Sequence, residues 1–213
     1  METKILFADI DGTLLNDQKE IPKENMTAIQ KALDCGHYVV VATGRPLDSA
    51  KAVAKDLGLM MPGCYLIAYN GAIVYDCGNE KVLKKESLPL AYVKELFERA
   101  KKAGLYIQTY KGNQIITTQD SPELEAYRNH TKLPYQVVED VFAVLDEEPQ
   151  KAMLIHLTDK SKLEQFQKDN MEWQEGKCIS LFSMDTYLEY CPPGATKAAG
   201  VDFICEYLDV PLK

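Results

Sequence analysis

Three short apolar runs organise the first part of the chain, each cut off by a polar turn and separated from the next by one stretch of helical period. Lys4-Ile5-Leu6-Phe7-Ala8 stops at Asp9-Ile10-Asp11-Gly12, and His37-Tyr38-Val39-Val40-Val41-Ala42 stops at Thr43-Gly44-Arg45. Tyr65 to Tyr69 is closed by Asn70-Gly71 before a further apolar stretch, Ala72 to Tyr75. Continuous apolar runs of this length suit strands buried on both faces of a parallel sheet. Between them, Pro22 opens a helix with Met26, Ile29, Ala32 and Leu33 on one side and Gly36 as its stop. Pro46 opens another, carrying Ala50, Val53, Ala54 and Leu57 and ending at Gly58. Strand, helix, strand, helix, strand with short connections predicts an α/β fold with an open, Rossmann-like parallel sheet.

The texture changes from about residue 81. Tyr92 to Lys102 is amphipathic, with Val93, Leu96, Phe97 and Ala100 on one side. Leu105 to Tyr110 and Gln114 to Thr118 read as strands joined at Gly112-Asn113, and Ser121-Pro122 makes a good helix start. Lys151 to Leu157 reads as a strand, Lys160 to Lys168 as a helix, and Cys178 to Ser183 with Thr186 to Tyr190 as a hairpin. Helices beside hairpin-paired strands indicate an α+β unit, so residues 81–187 are predicted to be a second domain inserted into the first. The first domain then comprises residues 1–80 and 188–213, the latter containing a helix with Val201, Ile204, Cys205 and Leu208 at helical spacing.

Bulk properties narrow the function classes. With 46% hydrophobic and 26% charged residues the chain can bury a core. A net charge of −8 argues against a general binder of nucleic acid or anionic membrane, which needs a positive footprint. No apolar run approaches the roughly 20 residues needed to cross a bilayer. The start, Met1-Glu2-Thr3-Lys4, does not read as a secretory leader. The six cysteines (35, 64, 77, 178, 191 and 205) contain no C-x-x-C pair and read as buried free thiols, so a cytoplasmic location is expected. His37, His130 and His156 form no ligand set and read as structural. Oligomeric state is not legible.

In an open parallel sheet the ligand crevice lies at the carboxyl ends of the strands. Asp9 and Asp11, one residue apart there, can project the same way while Ile10 turns into the core. Asp-Gly is also an ordinary turn, and Thr43 could serve merely as an N-cap. A hydroxyl and backbone N–H groups at a helix start equally make an anion site. Lys197 stands at a helix start, where a cation is unfavourable against the helix dipole.

Taken in order, these segments resemble the haloacid dehalogenase superfamily. Asp9-Ile10-Asp11-Gly12-Thr13 resembles its first motif, Thr43-Gly44-Arg45 its second, and Lys197 in Gly194-Ala195-Thr196-Lys197 its third. The stretches Ala8 to Leu15, Val41 to Pro46 and Asn70-Gly71-Ala72 look like its Cof-type branch, which carries a type IIB cap. Asp11 and Thr43 are 32 positions apart, room for one crossover helix, whereas Thr43 and Lys197 are 154 apart. An inserted domain therefore falls between the second and third motifs, unlike the β-phosphoglucomutase-like branch.

The resemblance implies a Mg²⁺-dependent phosphatase of small phosphorylated metabolites such as sugar phosphates. Asp9 would attack phosphorus and form an aspartyl phosphate, and Asp11 would protonate the leaving alkoxide. A free aspartate titrates near 3.9, so neighbouring negative charge must raise Asp11 for that role. Thr43 and the Gly44 amide would hold the phosphoryl oxygens, Lys197 would supply positive charge, and Mg²⁺ would sit on Asp9 and the Asp11 carbonyl. Arg45 and Asn70 would either orient substrate or cap their loops.

One departure stands out. The family's fourth motif, an acidic loop after the next core strand, has no counterpart before the sequence stops, so an incomplete core is expected. The alternative expectation is a catalytically weak or silent chain that binds phosphate or dimerises through its open sheet. The 213 residues are accordingly expected to hydrolyse p-nitrophenyl phosphate poorly with Mg²⁺, and a version extended through such a loop to be faster. Equal rates for the two would count against the loop's importance.

Overall fold

A computed structural model describes residues 2–212 apart from Asp17 and Lys19, and the backbone alone of His130. Met1 and Lys213, the ends of the segments considered above, lie outside the described residues, as does the His130 side chain. In chain order the elements are β1 (Ile5–Ala8), α1 (Lys23–Asp34), β2 (Tyr38–Ala42), α2 (Leu47–Asp56), β3 (Cys64–Ala68), β4 (Ile73–Asp76) and β5 (Lys81–Lys85). There follow α3 (Leu90–Lys102), β6 (Tyr106–Lys111), β7 (Gln114–Thr117), α4 (Pro122–Thr131), β8 (Tyr135–Val137) and β9 (Ala152–Ile155). The last are α5 (Lys160–Asp169), α6 (Met171–Gln174), β10 (Ile179–Met184), β11 (Tyr187–Cys191) and α7 (Lys197–Tyr207).

The chain forms two compact units, Met1–Lys85 with Gly194–Lys213, and Glu86–Pro193. These limits move the expected boundaries at 81 and 187. Residues 81–85 belong with the first unit because β5 pairs with β4, Asp76 opposite Lys81 and Ile73 opposite Lys85. Residues 188–191 belong with the second because β11 is hydrogen-bonded to both β10 and β9.

The first unit holds a five-stranded sheet in the order β1-β2-β3-β4-β5. β1, β2 and β3 are mutually parallel, as the apolar runs indicate, whereas β4 and β5 extend the sheet antiparallel. The short Tyr69–Ala72 connection accounts for the change, because it permits only a hairpin and not a crossover. Val39, Val40 and Val41 of β2 and Leu66, Ile67 and Ala68 of β3 are all essentially buried, as central strands covered on both faces require. α7 comes close to this sheet. A Cβ on Gly200 would lie 2.6 Å from Ile67 Cγ2, so only glycine permits that approach. The two sheet edges differ: β5 reads Lys-Val-Leu-Lys-Lys and β1 Ile-Leu-Phe-Ala.

The second unit has a six-stranded sheet in the order β10-β11-β9-β6-β7-β8. Its strands alternate between two environments. Ile107, Ala152, Leu154, Leu188 and Tyr190 join Val93, Leu96, Ala100, Leu163 and Phe166 from α3 and α5 in one apolar core. The intervening residues carry a buried polar system. Tyr106 Oη donates to Gln108 Oε1 (2.9 Å), Gln108 Nε2 to Tyr110 Oη (2.9 Å), and Tyr110 and Tyr127 hydroxyls are 2.7 Å apart. Lys151 Nζ donates to Glu189 Oε2 at 2.9 Å with both side chains almost fully enclosed, and Ser183 Oγ donates to Glu189 Oε1 at 2.5 Å. Burial alone would lower the Lys151 pKa, but the adjacent Glu189 carboxylate holds it above the usual lysine range.

His37 and His156 accept backbone N–H groups of Lys4 and Asp159, which are structural roles. All six cysteines are free, but Cys35, at the end of α1, is exposed rather than buried. No helix among the described residues is long and apolar enough to cross a membrane.

Two outcomes follow from this packing. Glu189→Gln would leave the Lys151 ammonium enclosed without its counter-charge, so a loss of about 3–5 kcal/mol is expected in urea denaturation. Burial pushes the Cys64 and Cys178 thiols from the usual 9.0 to about 11 and the Cys77 thiol to about 12. At pH 8, native protein should therefore react rapidly with Ellman's reagent at Cys35 alone. The same upward shifts stabilise the fold fully below pH 9, and that contribution is lost as pH rises from 9 towards 12.

Candidate active site

The described residues that sequence motifs single out come together at one end of the first sheet. Ala8 is paired with Val41 in the parallel register, so Asp9 and Thr43 leave neighbouring strands at their carboxyl ends. Ile10 is fully buried while the Asp9 and Asp11 side chains keep about 40% of their exposure, which is the projection their spacing predicts. The loop after β1 curls back on itself: Leu14 N–H donates to Asp9 carbonyl (3.1 Å) and Leu15 N–H to Ile10 carbonyl (2.9 Å). Gly12 takes φ +73°, which a glycine adopts without penalty, and Asn25 from α1 braces the loop by donating to the Thr13 carbonyl (3.0 Å).

Each carboxylate has its own cation. Lys197 Nζ donates to Asp9 Oδ2, while Asp9 Oδ1 accepts the Ile10 N–H at 2.7 Å. Arg45 grips Asp11 with two bonds, Nε to Oδ2 at 2.9 Å and a terminal nitrogen to Oδ1 at 2.6 Å. Such a planar two-bond contact fixes the carboxylate's orientation as a lysine could not. Arg45 therefore meets the carboxylate at the site's centre, a role that its expected part in substrate binding did not include.

Thr43 is 1% exposed and its hydroxyl accepts the Arg45 N–H at 3.2 Å, so the hydroxyl shapes its own loop. Pro46 and not Thr43 occupies the position before α2. Lys197 owes its place to Thr196, whose hydroxyl caps α7 by accepting the Ala199 N–H at 3.0 Å. Asn70 is 7% exposed and sits directly against Gly44, where a Cβ would come within 2.7 Å of Asn70 Oδ1.

Sequence reasoning placed Asn70-Gly71 at the end of the third strand and Thr196 in the third motif, but it assigned Thr196 no capping role and did not foresee the backbone of Tyr69. A Thr before Lys-Ala-Ala was a legible cap signal. The backbone of Tyr69, at φ +49°, was not legible, because nothing in a tyrosine signals a left-handed conformation that costs about 1–3 kcal/mol.

Asp9 and Asp11 supply the hard oxygen donors that Mg²⁺ prefers, and that ion is commonly held by one or two carboxylates with water and a substrate phosphate. The pair fits that need by donor type, and among the described residues no group of three or more His, Cys, Asp or Glu side chains is gathered to hold a metal ion.

A profile of the haloacid dehalogenase-like hydrolases matches residues 6–213. The chain belongs to this family. Among solved structures, a haloacid dehalogenase-like hydrolase from Bacteroides thetaiotaomicron superposes with a TM-score of 0.88 at 25% identity, covering 98% of this chain and 78% of that one. The fold also matches the subclass IIB sugar phosphatase BT4131, with a TM-score of 0.76 at 20% identity over 99% of this chain and 78% of that one. The 5-amino-6-(5-phospho-D-ribitylamino)uracil phosphatase YitU of Bacillus subtilis is 28% identical over 99% of this chain and 78% of its own length. Matches to two other curated relatives span only 55% and 44% of those proteins. The family relationship and the mixed α/β architecture thus agree with the resemblance in the motifs, and several of the relatives are named phosphatases.

Thr196→Ala should cost about 1 kcal/mol of stability through the lost cap, read by thermal unfolding.

Proposed function

We propose that the protein of which these residues are part hydrolyses small phosphorylated metabolites through an aspartyl-phosphate intermediate on Asp9. The observation that carries this reading is the division of labour at the end of β1. Asp9 and Asp11 stand side by side, and each is matched to a different cation, Lys197 or Arg45.

An Asp9 carboxylate oxygen attacks phosphorus in line, and the bond from phosphorus to the ester oxygen breaks as the new Asp9–phosphorus bond forms. Asp11 gives a proton to the departing alkoxide and then takes one from the water that hydrolyses the acyl phosphate, which returns both carboxylates to their starting states. Arg45 fixes the direction of the Asp11 carboxylate and favours its ionised form, so the negative charge of the bound phosphate has to offset that pairing before Asp11 carries a proton. The Lys197 ammonium lies against Asp9 and draws off the negative charge that would otherwise repel an incoming phosphate. Thr43 and the Gly44 amide line the side on which the transferring oxygens rest. A Mg²⁺ ion held by Asp9 and the Asp11 carbonyl would supply further charge neutralisation.

Two relatives support a substrate class: one is named a phosphatase of a ribityl phosphate and another a sugar phosphatase. We place this chain's substrate among phosphorylated sugars and sugar alcohols, in a cytoplasmic setting.

Hydrolysis of p-nitrophenyl phosphate with MgCl₂ tests the chemistry. Asp9→Asn should fall to the buffer background without loss of thermal stability, and Lys197→Met should lower kcat by about 10²–10³-fold. Full activity in Asp9→Asn would remove Asp9 as nucleophile. A panel of phosphorylated sugars and sugar alcohols, scored by phosphate release, should rank well above nucleotides.

A further inference from the structure

Three of the four residues joining β3 to β4 carry an arrangement that hairpin closure does not explain. Tyr69, Asn70 and Gly71 have φ of +49°, +58° and +108° in succession. Asn-Gly is an ordinary hairpin signal, and positive φ at those two positions suits the twist of antiparallel strands. Tyr69 is a bulky residue in the same left-handed region, a conformation that is costly for such a side chain.

What the conformation achieves is contact on two sides. The Tyr69 N–H donates to the Arg45 carbonyl (3.0 Å) and the Asn70 N–H to the Thr43 carbonyl (3.1 Å), so two consecutive amides hold the loop after β2. The Asn70 side chain fills the space where a Cβ on Gly44 would stand. On the other side, a Cβ on Gly71 would lie 2.1 Å from the carbonyl oxygen of Thr196, the residue that caps α7 and precedes Lys197. One turn is therefore wedged between the loop bearing Thr43 and Gly44 and the helix start bearing Lys197.

We propose that the Tyr69-Asn70-Gly71 turn is a positioning device that sets the spacing between the Thr43–Gly44 loop and Lys197, with Asn70 as its positioning residue. This rests on the phosphatase reading above. Asn70 acts through Gly44 and the Thr43 carbonyl, and the left-handed strain at Tyr69 is the consequence of aiming both amides at one loop. Gly44 and Gly71 are glycines because the turn occupies their side-chain space from opposite sides.

Asn70→Gly tests the idea, since glycine accepts φ +58° freely and removes only the side chain. Thermal unfolding should stay close to wild type, whereas kcat for p-nitrophenyl phosphate should fall about 10–100-fold through misplacement of the phosphate grip. KM should change by less than about threefold, the pattern of a lost transition-state interaction. A merely structural Asn70 would instead lower the melting temperature and leave kcat unchanged, and that result overturns the proposal. Gly44→Ala should destabilise the protein through its collision with Asn70, and the double variant Gly44→Ala/Asn70→Gly should recover most of that loss. Additive effects in this cycle would likewise overturn it. A wild-type protein without hydrolysis would defeat the phosphatase reading, and the stability cycle would then decide the wedge by itself.

Discussion

Asp9 and Asp11 leave the end of β1 with their carboxylates on the same side, so their mutual repulsion has to be met by cations drawn from elsewhere in the chain. Lys197 comes from the start of α7 and Arg45 from the loop after β2. Both pairs are partly open to solvent, and ion pairs so exposed contribute only about 0–1 kcal/mol. They therefore add little to folding stability. Their effect is to orient, by holding two chemically identical groups in two different settings.

The stability that keeps this arrangement in place lies behind it. Ile10 is fully enclosed between the two acids, and Val39 to Val41 and Leu66 to Ala68 form the central strands that carry the loops. α7 can bring Lys197 to Asp9 because Gly200 lets the helix settle onto Ile67. Backbone strain at Tyr69 is tolerated because the residues on either side of it, Ala68 and Asn70, are themselves buried and hydrogen-bonded.

Much of this was legible from pattern alone. The apolar runs at Lys4–Ala8, His37–Ala42 and Tyr65–Tyr69 announced the parallel strands β1, β2 and β3, and helical periodicity located α3, whose four expected core residues are all buried. β5 escaped notice because Lys-Val-Leu-Lys-Lys lacks alternation, and its register is broken by an irregularity opposite Val74 and Tyr75. β8 was equally hidden, being three exposed residues paired in parallel with β7. At the site, residue types betrayed Asp9, Asp11, Thr43 and Lys197. The partnership of Arg45 with Asp11 did not show, because a two-bond contact between residues 34 positions apart exists only once two strand ends are brought together.

The unlike edges of the first sheet bear on how such a molecule associates with others. At β5 the lysines put positive charge along the rim, so a second strand approaching there meets a solvation penalty and, from an identical copy, repulsion. At β1 the rim is Ile5, Leu6, Phe7 and Ala8, with Leu6 notably exposed and no charge within the strand. The two rims thus present different chemistry, a charged one on β5 and an apolar one on β1, where Ile5 and Phe7 line a cavity together with Val201, Cys205 and Val210. Ionic strength acts on the two differently: salt screens the lysines of β5 and leaves the uncharged side chains of β1 without a charge to screen.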